Sequence, residues 1–531
     1  MKTEGEDVGG HRIRAWESIL LLAILVLGLW FRWRYAVDVS FFVDEYLTAR
    51  AAEKILAQGV PILPSGNFYS HGLLLSYIEA LVIGLGGTQQ LVMRLPVIVM
   101  SIASILLTWW FGRKTVSPIA GLVAAALLAM APEAILWGGR VRMYAPLQFF
   151  VLLATIIFYF WVVLERDRPL YRMGFVAVYW CALLSHAETA LLLPLWGAWV
   201  LIQRGWRWLL RPSNLLTFLL SGLSVVIEAL LRQIGPPVQA WVAPGVLEPL
   251  TRQYLGIAFD APGAQKALAP VFLTPTRLPL TFLLAIGIIY LLVAALSSKK
   301  HIRVQMSQER KALSYLYALL LPALALLLFA IDPEWKSPRY SLMLLPHVFL
   351  IAAGVLVWLG RWIQSYLARV VGRRRATLGA WVGAIATVIL IGLTSWPSAL
   401  AATRESVPRY DRAFTYVREH QQPGDIVITF LCPAAFWHLD RCDYLAIPTD
   451  FSGFAFQKDG RWVSGWDGVP ILDSATGLQQ AFDRARCAWF VVDEGRFATR
   501  YDAEFQQAVQ EGMELVAAEH EVLVFHRCNT P

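Results

Sequence analysis

The chain has 531 residues, 57% of them hydrophobic and only 16% charged, more apolar side chain than a water-soluble fold can bury within itself. This excludes a soluble globular protein and points to one that crosses a membrane many times. The formal net charge of +8 comes without a basic stripe interleaved with aromatics, so the Lys and Arg residues read as topogenic and nucleic acid is excluded as a partner.

Met1 to Glu17 is polar and mixed in charge, and the apolar run Ser18–Trp30 passes straight into Arg32 and Arg34. It lacks the small-residue cleavage site of a secretory signal and is expected to be an uncleaved first span. Membrane-length runs follow near Leu91–Phe111, Pro118–Trp137, Tyr144–Leu164, Phe175–Leu184, Thr189–Ile202, Leu215–Leu231, Leu278–Leu296, Leu313–Ala330, Ser341–Leu359 and Leu378–Leu393. Length gives about eleven spans in all, and the shortest are the neighbours flanking His186. Trp109, Trp110, Trp137, Trp161 and Trp358 stand at the ends of such runs, as interfacial aromatic belts require.

Charge orients these spans. Arg113-Lys114, Glu165–Arg172, Arg204–Arg211, Lys299–Lys311 and Arg361–Arg375 fall on one side and mark the cytoplasmic face. The opposite set is then extracytoplasmic: Arg34–Gln90, Gly138–Met143, Ser185–Glu188, Ile234–Arg277, Asp332–Arg339 and everything after Ser395. The expected organisation is a transmembrane domain over 1–399, with its first outer loop at 35–90, and a soluble extracytoplasmic domain over 400–531. Multi-pass plasma-membrane localisation follows.

The first outer loop carries Phe41-Phe42-Val43-Asp44-Glu45-Tyr46, two adjacent carboxylates where lipid meets water. From Asp44 to Gln58, apolar Leu47, Ala51, Ala52, Ile55 and Leu56 oppose Arg50, Glu53 and Lys54, and Gly59 with Pro61 ends the run, the pattern of an interfacial amphipathic helix. Asp44 then has a bland role as helix cap, with Glu45 in the first turn. It also has a chemical one, as a general base held at a membrane surface; the two are compatible. Asn67-Phe68-Tyr69-Ser70-His71-Gly72 precedes an apolar helix from Leu73 to Leu85 too short to span. His71 there is either an interfacial structural residue or a phosphate or metal ligand.

The tail from about Leu400 loses long apolar runs. Short strand patterns such as Asp425–Leu431 and Ala488–Val492 alternate with helical ones such as Gly477–Arg486 and Ala503–Gly512, the signature of a small α/β domain. Four of the five cysteines, Cys432, Cys442, Cys487 and Cys528, lie here. Outside the cell three pairing schemes are open, with Cys432–Cys442 the preferred pair and four free buried thiols the alternative. No fixed-period repeat, P-loop or GxGxxG fingerprint is present, so a nucleotide donor has no support.

The order of these features resembles the GT-C superfamily of polyprenyl-phosphate-sugar-dependent glycosyltransferases, the class of the protein O-mannosyltransferases and the lipid A aminoarabinose transferases, in a bacterial branch. Phe42-Val43-Asp44-Glu45 resembles the family's first-loop acidic motif, Tyr69-Ser70-His71-Gly72-Leu73 its second motif, and Met93-Arg94-Leu95-Pro96 the opening of its next span. Arg140-Val141-Arg142-Met143-Tyr144 is similar to the second outer loop, and Ser185-His186-Ala187-Glu188 and Ser337-Pro338-Arg339-Tyr340 to later landmarks. The likeness covers roughly Ser18 to Pro346. Many members carry an acid near the position of Tyr144; here that role is absent or falls to a residue such as Glu188 or Glu133.

The resemblance implies a polytopic α-helical GT-C-like membrane protein with a C-terminal soluble α/β domain, moving a sugar from a polyprenyl-phosphate donor to an acceptor hydroxyl at the outer interface. Asp44, with Glu45 beside it, is the expected catalytic acid pair. Asp44 serves as the general base of an inverting displacement, contributing a factor of about 10²–10⁴. His71, Tyr69, Arg140, Arg142, Lys336 and Arg339 are the expected substrate-binding residues, the cations neutralising the departing phosphate. Headgroup contact is the bland account of each cation. The partners are the lipid-linked sugar, membrane lipids and a lipid, polysaccharide or protein acceptor. No cofactor is assigned, and a divalent metal stays open. Asp44, Glu45, His71, His186 and Glu188 are suitable ligand types for a divalent metal, but spacing alone does not assemble them and no metal ligand is assigned. The rival is a transporter or lipid flippase, for which inverted repeats and midplane acids would be expected; neither is found.

Overall fold

The computed structural model describes residues 13–235, 239–240, 261–296, 317, 337–371, 390, 392–447 and 454–529. The membrane part opens with α1 (Ala15–Asp38), α2 (Val43–Gln58), α3 (Leu73–Gly84) and α4 (Gln90–Thr115). Then come α5 (Pro118–Ala129), α6 (Pro132–Gly138) and α7 (Tyr144–Phe158), the last running on as a π turn through Val163. Among the described residues five helices are long and apolar enough to cross a membrane: α1, α4, α7 with its π turn, Pro212–Leu231 and Pro338–Tyr366. A sixth arises if α5 and α6 are one broken span.

The expected spans flanking His186 form helices of 17 and 13 residues, Pro169–Ser185 and Leu192–Arg204, joined by a 3₁₀ turn at Ala187–Leu191. Each is shorter than the ~20 residues a span needs, so the pair brings its polar junction to one place. The runs Leu313–Ala330 and Leu378–Leu393 lie almost wholly outside the described residues.

Two local breaks aim the outer loops. α5 and α6 meet at 63°, because Pro132 has no amide hydrogen to continue the helix and holds Ala131 in an extended conformation (φ −67°, ψ 120°). The chain after α6 can then close against α1 only through glycine: a Cβ on Gly139 would lie 2.4 Å from Tyr35 Cδ1. Gly72, before α3, has φ +71°, and a Cβ there would lie 2.8 Å from that of Met143, so glycine is needed for both backbone and space.

A three-stranded sheet in the order β1-β4-β5 joins β1 (Gln239–Ala240) to β4 (Phe454–Lys458) and β5 (Arg461–Ser464), and the C-terminal α/β region has a six-stranded sheet in the order β6-β3-β2-β7-β9-β8, comprising β2 (Ile426–Thr429), β3 (Tyr444–Ala446), β6 (Ile471–Leu472), β7 (Cys487–Asp493), β8 (Glu514–Glu519) and β9 (Val522–Cys528). The short strands β2, β3, β6 and β7 run parallel, and β9 and β8 close one edge antiparallel. β7 is buried throughout, as a central strand covered on both faces must be. The expected Cys432–Cys442 bond is formed. Cys487 and Cys528, directly opposite each other on β7 and β9, form a second.

This region docks on the segment between α1 and α4. Phe41, Tyr46 and Ala49 share a core with Tyr410, Ala413, Phe414 and Cys432. Around that core, Tyr46 OH meets His438 Nε2 at 3.2 Å, and Ser40 donates to Asp411.

Candidate active site

Phe42 caps the start of α2, and the third helical residue, Glu45, accepts a hydrogen bond from the Phe42 amide at 2.6 Å. Glu45 thus satisfies the helix start, not Asp44 as the bland reading held. Glu45 also accepts from Arg94 Nε and Nη2 (3.0 and 2.7 Å) and from the Val141 amide (2.8 Å). Its side chain is wholly out of water, and both oxygens are doubly engaged. A carboxylate so committed has no lone pair left for a substrate proton. It faces inward, away from the expected catalytic position beside Asp44, and pins the loop Arg140–Arg142 to α2.

Arg140 and Arg142, read together from the sequence, part company in the fold. Arg140 donates to Tyr35 OH at 2.6 Å, pairs with Glu405 and lies between the rings of Phe42 and Trp137. It ties the segment around Glu405 to α1, with its guanidinium engaged by Tyr35 and Glu405 in place of the expected substrate. Arg142 turns to the other side. Its Nη1 donates to the Asp44 carbonyl (3.1 Å), Thr48 Oγ1 (3.3 Å) and Tyr69 OH (3.1 Å), and its Nη2 lies 3.5 Å from Asp44 Oδ2. Arg339, in the first turn of the last described span, approaches the same oxygen at 3.6 Å.

Two guanidiniums therefore share one half-exposed carboxylate, leaving net positive charge. The Nε–H groups of Arg142 and Arg339 are both shut off from water and have no hydrogen-bond partner among the described residues. Buried donors without partners are costly, and two such guanidiniums beside one carboxylate leave donors and charge that an anion would complete.

Aromatic and imidazole groups wall this cluster. Tyr69 packs on His71 and on Trp466 of the C-terminal region, 5.7 Å between centroids in each case. His186 lies 5.7 Å from the rings of both Tyr144 and Tyr340. Burial, reinforced by the guanidiniums of Arg232, Arg142 and Arg339, pushes His71 down to about 3, so it is a neutral donor and acceptor at physiological pH. Burial likewise holds His186 well below its ordinary value and Glu188 well above the carboxylate range. Glu188 Oε2 stands 3.7 Å from His186 Nδ1. Of the two stand-ins weighed for the acid missing at Tyr144, Glu188 is thus at the site, whereas Glu133 is paired with Arg277 at 3.0 Å.

Lys336 lies outside the described residues. Asp44, Tyr69, His71, Arg142 and Arg339 lie together, whereas Glu45 and Arg140 turn to other partners. The sequence reading named Arg94 only within the Met93–Pro96 landmark and did not name Glu405 or Trp466; the partner that gives each its place, Glu45, Arg140 and Tyr69, is distant in the chain.

The ligand types for a metal do not converge. Glu45 is consumed by Arg94, and Asp44 faces two cations that would repel a third. Among the described residues, the three-ligand group within reach of one ion is Cys487, His526 and Cys528, whose two thiols are bonded to each other. These residues do not fit a metal as placed.

Residues 70–231 match the family described as dolichyl-phosphate-mannose-protein mannosyltransferase. No curated protein sequence matches the chain. In fold, the chain is similar to ArnT from Cupriavidus metallidurans bound to undecaprenyl phosphate (TM-score 0.60, 12% identity, 96% of this chain and 98% of that one). It is also similar to the archaeal oligosaccharyltransferase AglB from Archaeoglobus fulgidus in complex with an inhibitory peptide and a dolichol-phosphate (TM-score 0.58, 12% identity, 96% and 74%). The A. fulgidus oligosaccharyltransferase complex with zinc and sulfate matches at a TM-score of 0.53 (12% identity, 93% and 71%). These likenesses bear out the GT-C resemblance and the membrane-plus-α/β architecture.

Proposed function

From a chain with a GT-C fold that carries the mannosyltransferase family's pattern over residues 70–231, we propose a membrane glycosyltransferase that moves a sugar from a polyprenyl-phosphate donor to an acceptor hydroxyl at the extracytoplasmic interface. One observation carries this reading: Arg142 and Arg339, with their two unpartnered buried Nε–H groups, converge on Asp44. A phosphodiester linking lipid and sugar is the anion that would occupy such a cluster. Its lipid enters along the span that Arg339 begins, and its sugar lies toward Tyr69 and His71.

In the reaction the anomeric carbon–phosphate-oxygen bond breaks as the acceptor oxygen bonds to the same carbon from the opposite face, inverting it. Asp44 takes the acceptor hydroxyl's proton, and the two guanidiniums stabilise the polyprenyl phosphate that leaves. Glu45 and Arg94 act at one remove, fixing the turn that delivers Arg142. Glu188 lines the site with burial favouring its protonated form, and Arg142 and Arg339 supply the positive charge at Asp44. The relatives' bound undecaprenyl phosphate and dolichol-phosphate support a lipid-phosphate donor. The acceptor is a lipid, a polysaccharide or a protein hydroxyl.

The test is release of free polyprenyl phosphate by purified protein from a panel of undecaprenyl-phosphate hexoses and pentoses, with a membrane extract as acceptor source. Release from one donor, with its sugar recovered on an acceptor in the opposite anomeric configuration, is the expected result. No release from any donor contradicts the reading and favours a transporter.

A further inference from the structure

The C-terminal region sends one turn into the membrane part. β4 (Phe454–Lys458) and β5 (Arg461–Ser464) form a hairpin, and the chain after it folds into a tight turn, Ser464-Gly465-Trp466-Asp467-Gly468. Ser464 Oγ accepts from the amides of Trp466 (3.2 Å) and Asp467 (3.3 Å), and the Gly468 amide closes on Ser464 O at 2.9 Å. Ser65 Oγ and Asn67 Nδ2 of the first outer loop both donate to Gly465 O, at 2.7 and 2.9 Å. The turn is fixed from within and from the loop it lies on, so the indole it carries is held in advance of any ligand.

That indole is half-buried. Its ring lies 5.7 Å from Tyr69 and 6.0 Å from His71, edge-to-face with both. Tyr69 OH in turn accepts from Arg142, the guanidinium beside Asp44. One tyrosine side chain therefore separates the cation cluster from the tryptophan, a spacing on the scale of a single sugar ring attached to the phosphate. A pyranose or furanose presents apolar C–H faces and hydroxyl edges. An aromatic wall with a neutral imidazole beside it matches both, the ring covering the face and His71 hydrogen-bonding the edge. The lipid chain comes from the opposite side, since Arg339 opens a span and Trp466 belongs to the α/β region.

We propose that Trp466 is the wall against which the donor's sugar ring packs, so that the C-terminal region completes the donor site and takes part in sugar selection. The inference rests on the transferase reading and adds to it the residue that reads the transferred group.

The experiment is equilibrium binding of undecaprenyl phosphate, and of undecaprenyl-phosphate hexoses and pentoses, to the full-length detergent-purified protein and its Trp466→Ala and Trp466→Leu variants. Leucine fills the turn without an aromatic face and serves where alanine impairs folding. The wild type is expected to prefer one sugar-bearing lipid over the bare phosphate. Both variants should lose about tenfold in affinity for that lipid while binding the bare phosphate unchanged. An equal loss for both lipids would make Trp466 a docking residue only and overturn the proposal, as would no loss for either. A wild type that binds the bare phosphate but no sugar-bearing lipid more tightly overturns the sugar wall alone, and one that binds no lipid phosphate overturns the transferase reading as well.

Discussion

Glu45 and Arg94 meet entirely out of water, with Oε2 2.7 Å from Nη2 and Oε1 3.0 Å from Nε, although 49 positions separate them in the chain. This pair, and not Asp44, anchors the start of α2 and the loop Arg140–Arg142. Removing one member strands a buried charge, and for such pairs the loss is about 3–5 kcal/mol. Glu45→Ala should therefore lower thermal stability in detergent sharply, while Asp44→Asn leaves it nearly unchanged. Unfolding midpoints followed by tryptophan fluorescence distinguish the two, and equal shifts would contradict the division of labour.

Arg142 and Arg339 are expected to bind the donor phosphate as planar forks, so lysine is a poor substitute despite its charge. Arg142→Lys and Arg339→Lys should each weaken undecaprenyl phosphate binding by roughly tenfold or more, the scale of a lost charge-assisted hydrogen bond. Binding measured by microscale thermophoresis would expose any variant that keeps wild-type affinity.

Burial raises Glu188 well above the carboxylate range, against the partial offset of Arg339, and so favours its protonated form. Glutamine mimics the neutral acid, so Glu188→Gln should keep most of the activity at pH 7 while Glu188→Ala loses it. The sign is that of a raised group: its contribution to stability is present below the ordinary carboxyl value and is lost as pH climbs through the folded one. If Gln proved as inactive as Ala, the residue would be needed ionised.

Asp467, beside Trp466, is buried, and among the described residues neither of its oxygens is hydrogen-bonded; Arg50 Nε stands 3.9 Å away. Burial pushes its carboxyl up to about 6 from an ordinary 3.8, with Arg50 and Lys54 only partly offsetting it. Its stabilising contribution is thus complete below about 3.8, fades as pH rises and is gone above about 6. Asp467→Asn should raise the melting temperature at pH 7.5 and flatten its dependence between those values, as differential scanning fluorimetry across pH would record. A wild-type profile that climbs through this window would contradict the assignment.

Local pattern made much of this legible. The amphipathic run after Asp44, ended by Gly59, is α2 almost to the residue. The short helix after Gly72 is α3, and the alternating tail is the α/β sheet. The Asp44–Tyr69–His71 grouping could be read because all three stand in one outer loop. What sequence could not divide is a pair of identical residues two apart: Arg140 and Arg142 differ only in what the tertiary fold offers each, Glu405 on one side and Asp44 on the other. Glu45 read as Asp44's twin for the same reason, since its partner Arg94 is on another helix. Trp466 carried no signal in a chain with 22 tryptophans; only the docking of the hairpin on Ser65 and Asn67 singles it out.

The central claim is that Asp44 is the base of a sugar transfer whose donor phosphate sits on Arg142 and Arg339. The most direct measurement is single-turnover release of polyprenyl phosphate from the accepted undecaprenyl-phosphate sugar by wild type and Asp44→Asn, with undecaprenyl phosphate affinity determined on the same samples. The account predicts a fall in rate of about 10²–10⁴ in the variant, with lipid binding retained or tightened because the competing carboxylate charge is gone. Equal rates in the two proteins would remove Asp44 from the chemistry.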